Sequence, residues 1–276
     1  MRIDTRGPVD AGRSRRFPPK RPAINRRFLS RFAVALVFLA ISHSVGAQGG
    51  PPLLTDDPDT PGNRHWEINT AYTVERVRDE ESKNLPRIDI NYGLGEHIQL
   101  KYEVAWMSLD QGDASGSRSG LSNSLMGVKW RFLDEEKAGF NMSVYPQVEF
   151  NNPTGSDDRG LADRGPNRLL PIEASKSFGA WRLVGEVGYW FMHDQPDQWI
   201  YGVAVGYPYS ETLELLGELH TTTDRSFQHD DTVLNLGFRR HLSERFTLIA
   251  SAGTGLRNSD ERTELVGYFG LQMHFR

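Results

Sequence analysis

The ionisable residues of this chain fall at alternate positions between apolar neighbours. Glu67, Asp89, Lys101, Glu103, Lys129, Arg131, Glu149, Glu173, Arg182, Glu186, Glu214, Glu218, His220 and Arg239 all fall on this alternating face, most of them with an apolar neighbour on each side. Four groupings among the polar residues have types suited to chemistry. Glu173 and Glu186 fall opposite each other across the two-residue turn Gly179-Ala180, and two close carboxylates raise one pKa or hold a cation. The expectation here is the blander one: both solvated in a wet interior, or paired with Arg182 or Arg239. His220 beside Glu218 is read the same way. His241-Leu242-Ser243 has the spacing of a base and a nucleophile, but it falls in a short turn with no Asn placed to orient the histidine. The acidic stretch with Asp157, Asp158 and Asp163 reads as a solvated loop rather than a divalent-ion site. No catalytic residue, metal or cofactor is therefore expected, and the alternating charges are expected to line an interior.

The elements that must hold those charges are strands. From Arg87 to Trp106, Ile88, Ile90 and Tyr92 alternate with Arg87, Asp89 and Asn91. Beyond a Gly-rich link, Ile98, Leu100, Tyr102, Val104 and Trp106 alternate with Gln99, Lys101, Glu103 and Ala105. A period of two puts successive side chains on opposite faces, and the short link makes the pair a hairpin. Charge alone suggests the register. Pairing Tyr92 with Ile98 sets Asp89 opposite Lys101 and Arg87 opposite Glu103, whereas a slip that sets Arg87 beside Lys101 opposes like charges. Full charges recurring mid-strand suit a water-filled axis, so the apolar face is assigned to lipid.

The same pattern recurs along the chain. Strands are expected at Trp66–Arg76, from about residue 84 to Tyr92, and at Ile98–Ser108, Ser122–Phe132, Phe140–Asn151 and Leu169–Phe178. Further strands follow at Trp181–Met192, Trp199–Tyr207, Leu213–Thr221, Thr232–Arg240, Phe246–Thr254 and Leu265–Phe275. Trp199–Tyr207 is distinctive, because Trp199, Tyr201, Val203, Val205 and Tyr207 stand over small residues, Gly202, Ala204 and Gly206. The strand lengths suit a tilted membrane crossing, the count is even at about twelve, and longer polar links alternate with short ones. Aromatic residues near strand ends, among them Trp66, Tyr92, Trp106, Trp130, Trp181, Tyr189, Trp199 and Phe246, would form the interfacial girdles. The fold class is all-β: a closed antiparallel up-and-down transmembrane β-barrel over residues 66–276.

Residues 1–47 read as an N-terminal extension and signal peptide. Arg26, Arg27 and Arg31 precede the apolar run Phe32–Ile41, which is too short to span a bilayer as a helix, and Val45-Gly46-Ala47 suits cleavage after Ala47 in Sec export. Arg26-Arg27 resembles a twin-arginine signal, but a barrel must cross the inner membrane unfolded. This leader holds ten Lys/Arg against two Asp/Glu, so its loss takes the net charge from −4 to −12. An acidic exported chain lacks the basic footprint of a nucleic-acid binder. Without cysteine there are no disulfides and no thiol ligands. Residues 48–65, rich in Pro, Gly and Asp, read as a periplasmic lead-in.

Leu53-Leu54-Thr55-Asp56-Asp57 before Trp66-Glu67-Ile68-Asn69 resembles the opening of the outer-membrane transporter family named after the meta-pathway of phenol degradation. Asn123-Ser124-Leu125-Met126-Gly127-Val128-Lys129-Trp130-Arg131-Phe132 resembles its central strand, and Pro153-Thr154-Gly155 its later loop. The resemblance implies passive passage of small, aromatic or hydrophobic solutes, and it carries over no binding residues. The last strand, with Phe275 penultimate, resembles the segment through which barrel-assembly machinery recognises outer-membrane proteins. Expected partners are outer-membrane lipid and lipopolysaccharide, that machinery, and an unidentified small solute. The competing expectations are a non-conducting barrel with a structural or surface role and, behind it, a lipid-acting enzyme.

Overall fold

The computed structural model describes residues 50–112, 116–256 and 263–276. The leader and its cleavage point, and the loop 257–262, lie outside the described residues. The strands are β1 (Trp66–Val77), β2 (Glu80–Leu94), β3 (Ile98–Asp110), β4 (Arg118–Leu133), β5 (Asn141–Val144), β6 (Gln147–Phe150) and β7 (Asn167–Phe178). They continue as β8 (Trp181–Phe191), β9 (Gln198–Ser210), β10 (Leu213–Asp224), β11 (Asp230–His241), β12 (Phe246–Gly255) and β13 (Thr263–Phe275). Successive strands pair antiparallel, except that β5 and β6 both lie between β4 and β7 and pair with those two, and β1 pairs with β13, Trp66 facing Phe275, so the sheet closes on itself. Closure leaves no sheet edge facing hydrocarbon.

Thirteen strands make twelve passes, because β5 and β6 are two halves of one pass. Pro146 supplies no N–H, so the ladder breaks between them. The pass is carried over the gap by Val128 N–H donating to the Pro146 carbonyl at 3.0 Å and Tyr145 N–H to that of Pro171 at 3.2 Å.

Side-chain direction follows the alternation. Leu100, Val128, Val203 and Leu236 are exposed on the outer face, whereas Lys129 is 2 % and Glu173 0 % exposed on the inner one. A barrel that buries its charges and bares its aliphatics is built for lipid. The aromatic residues gather at the two rims. At the short-turn end Trp66 packs on Tyr92 and Trp181 on Tyr207, each with ring centroids 4.6 Å apart; at the long-loop end Tyr189 packs on Trp199 at 4.7 Å.

Two expectations change. Most strands run further than the alternation marks, since above the bilayer both faces are polar. The polar link expected at 78–83 shrinks to Arg78-Asp79: β1 and β2 stay paired out to Val77 and Glu80, with Arg76 bonding Glu81 across the hairpin and Lys83 bonding it along β2. The β2–β3 register also differs. Gly95, with φ 69°, allows a three-residue link in which Leu94 faces Ile98, so Asp89 stands opposite Glu103 instead of Lys101. The like charges are tolerated because cations reach them diagonally. Lys101 Nζ lies 3.6 Å from Asp89 and 3.1 Å from Glu103, and Arg87 Nη2 lies 2.7 Å from Glu103. The expected ion pairs form, two residues off the expected register.

Candidate functional site

The barrel interior is where the singled-out charges meet, and it contains more than wall. Residues 50–61, expected in the periplasm, lie inside the barrel. Their Pro and Gly content forbids a ladder, yet buried backbone groups need partners, and inward side chains provide them. Leu54 and Thr55 N–H groups each donate to a carboxylate oxygen of Glu218 at 2.8 Å, and Asp56 N–H donates to Glu186 at 3.0 Å. In the other sense Arg239 donates to the Pro51 carbonyl at 2.7 Å and Ser251 to that of Pro52 at 2.6 Å.

Side chains complete the docking. Lys129 Nζ sits 2.9 Å from the Asp56 carboxylate and also donates to the Asp57 carbonyl. Arg182 Nη2 lies 2.7 Å, and Arg131 Nη1 3.7 Å, from Asp59. Leu53 packs with Val184, Ala204 and Leu216. Thr55 rests on β9 where Gly202 has no side chain; a Cβ there would stand 2.1 Å from the Thr55 hydroxyl. The small inner face of β9 is thus the seat of the inserted segment.

The remaining expected residues also lie on the inner face. Glu67 and Asp89 both accept from the Asn69 amide at 3.2 Å. Glu149 accepts from Asn167 at 3.4 Å, and Glu214 lies 3.5 Å from Arg239. His220 shares its face with Glu218 and is half-buried. Glu173 does face Glu186 across β7–β8, but both are buried rather than solvated, and neither pairs with Arg182 or Arg239. Glu173 accepts from Ser143 at 2.5 Å and lies 3.7 Å from Lys129, while Glu186 takes the Asp56 N–H. Arg182 and Arg239 are drawn away to the inserted segment. In the loop between β6 and β7, Asp163 accepts from Asn167 at 2.8 Å. Among the described residues no cluster of three or more His, Asp and Glu is arranged to hold a metal ion.

Charge is balanced locally. Burial raises the Asp56 carboxyl, but Lys129 outweighs it and holds the group below the usual carboxylate range. Asp57 is pushed up by burial and by the neighbouring Asp59. At the short-turn rim His97, hydrogen-bonded at 3.0 Å, holds the Asp134 carboxyl down.

Open space survives beside the segment. A cavity of about 210 Å³ lies against β1, β2, β3 and β13, lined by Glu75, Arg87, Lys101, Glu103 and Tyr268 on the wall and by Asp56 on the segment. A smaller one of about 40 Å³ lies between Asp57, Glu67, Lys101, Lys129 and Tyr145. Sequence reasoning missed Asp56, Asp57 and Asp59. Two signals pointed to them: acidic residues in a segment facing a barrel rich in inward Lys and Arg, and the small-residue face of β9.

Residues 55–272 match the family described as "Putative MetA-pathway of phenol degradation". The chain belongs to this family. The match begins at Thr55 and so takes in part of the inserted segment as well as the wall. Among curated proteins none matches. Solved structures with the same fold include the COG4313 outer membrane channel of Pseudomonas putida F1, at 13 % identity and TM-score 0.59, covering 83 % of this chain and 100 % of that one. The NanC porin follows at 8 % identity and 0.53, covering 76 % and 99 %, and the KdgM porin at 12 % and 0.52, covering 75 % and 99 %. At these identities the likeness concerns the fold.

Proposed function

We propose that this protein is an outer-membrane channel for passive passage of small solutes, with no catalytic role. The observation that carries this reading is the division of the wall, with aliphatic and aromatic side chains on the outside and paired charges around a polar axis that keeps a cavity of about 210 Å³. Names of proteins sharing the fold, an outer membrane channel and two porins, agree with it. The family description, which refers to phenol degradation, supports small aromatic solutes. On this reading the leader directs Sec export, the last strand engages the assembly machinery, and the apolar belt meets lipid and lipopolysaccharide. His241-Leu242-Ser243 supports no enzyme, since the His241 ring is hydrogen-bonded to Thr247 at 3.0 Å and Ser243 lies in the β11–β12 turn.

A non-conducting structural barrel is the second reading, and the segment at 50–61 favours it by filling much of the axis. Planar-bilayer recordings separate the two. Discrete conductance steps, with swelling of proteoliposomes in small aromatic acids faster than in sugars, are expected of the channel. Silence in both assays sinks it.

A further inference from the structure

The inserted segment brings its own carboxylates to the cations of the interior, and this shows what those cations are shaped to hold. Arg182 Nη2 lies 2.7 Å from an oxygen of Asp59, a charge-assisted contact, and also donates to the Ser175 hydroxyl at 2.9 Å. Arg131 approaches the same Asp59 at 3.7 Å, while its second side holds Asp134 at 3.1 Å. Deeper in, Lys129 holds Asp56 and lies 4.6 Å from the centre of the Tyr145 ring. Every one of these cations projects from a strand of the rigid wall, whereas Asp56 and Asp59 come from a segment with no ladder of its own. If the segment withdraws, the wall keeps Glu173 near Lys129 and Asp134 near Arg131, but Arg182 loses its carboxylate.

We infer that Arg182, with Arg131 beside it and Lys129 further in, is a binding station for the carboxylate of a small organic acid, occupied in this structure by Asp59 and Asp56 as internal stand-ins. The inference rests on the channel reading, because the acid must enter the barrel. An arriving carboxylate exchanges with Asp59 on Arg182, so the solute and the segment compete for one site. The acid is held near the short-turn end, where Arg182 and Arg131 stand within a few residues of the rim. The ligand is selected by its charged head, and a neutral molecule with the same ring gains nothing from the exchange.

The test uses the whole protein in planar bilayers, with benzoate and benzyl alcohol as probes. Asp59→Asn removes the internal competitor while keeping the shape of its side chain. Benzoate is expected to block the current of this variant at a concentration at least about tenfold lower than in the unaltered protein. Adding Arg182→Gln is expected to abolish that gain, and benzyl alcohol is expected to act alike on all three. Heat-modifiable migration on gels checks that each barrel is intact. Benzoate block that ignores both substitutions, or that benzyl alcohol matches, overturns the carboxylate station and leaves the channel standing. Absence of current in every form, including one lacking residues 51–60, brings down the channel reading and this inference together.

Discussion

Two arcs of the same wall solve the problem of inward charge differently. Along β2 and β3 the solution is local: Arg87, Asp89, Lys101 and Glu103 neutralise one another across adjacent strands, and open space lies in front of them. From β4 round to β11 it is remote. Lys129, Arg182, Glu186, Glu218 and Arg239 take their partners from residues 50–61, far away in sequence. The first arc is complete without the segment; the second is complete only with it. Charge on an inner face therefore does not by itself mark a solute-lining surface, since it also serves as a mould for the chain's own polypeptide.

One deletion and three substitutions sharpen or break this contrast. The largest change is expected from deleting residues 51–60. The second arc loses its partners and the axis opens, so single-channel conductance rises several-fold and the barrel melts at a lower temperature. Conductance unchanged by the deletion would mean that the segment does not limit the path. Next comes Lys129→Met. It leaves Asp56 and Glu173 facing each other without a cation, and truncating one partner of a buried pair costs about 3–5 kcal/mol, read from the unfolding midpoint in detergent. Lys101→Met is expected to cost less, about 1–3 kcal/mol, because Arg87 still holds Glu103 and the adjoining cavity admits water. Equal losses for the two lysines would erase the distinction between the arcs. Smallest is Glu81→Gln, on the exposed ion pairs above the bilayer, where solvent screening leaves no measurable change in stability or conductance.

The wall was legible in the sequence because its signal repeats at every second residue and each strand carries it independently. Leu100 and Val128 outside, Lys129 and Glu173 inside, follow from that rule alone. Strand ends were less legible, since Arg76, Glu81 and Lys83 stand where both faces are polar and alternation loses its meaning. The β2–β3 register does not follow from directly opposed charges, because diagonal reach also neutralises them; Lys101 is long enough to serve both Asp89 and Glu103. The inserted segment was not legible as such. Pro51, Pro52, Pro58 and Pro61 with three Asp residues read as a loop in any setting. Its destination depends on Lys129, Arg182 and Arg239, none of them nearby in sequence. Gly202, Ala204 and Gly206 were seen as an oddity of one strand, and the structure turns that oddity into a footprint.

The seam between Trp66 and Phe275 has a bearing on assembly. The polypeptide that occupies part of the axis leads into β1, and β1 finds its second neighbour only when β13 arrives. Until that last zipper closes there is no chamber to enter, and afterwards the way in is past the rims alone. Sealing the cylinder and enclosing its contents are accordingly one event, and the seam that completes the wall also fixes residues 50–61 on its inner side.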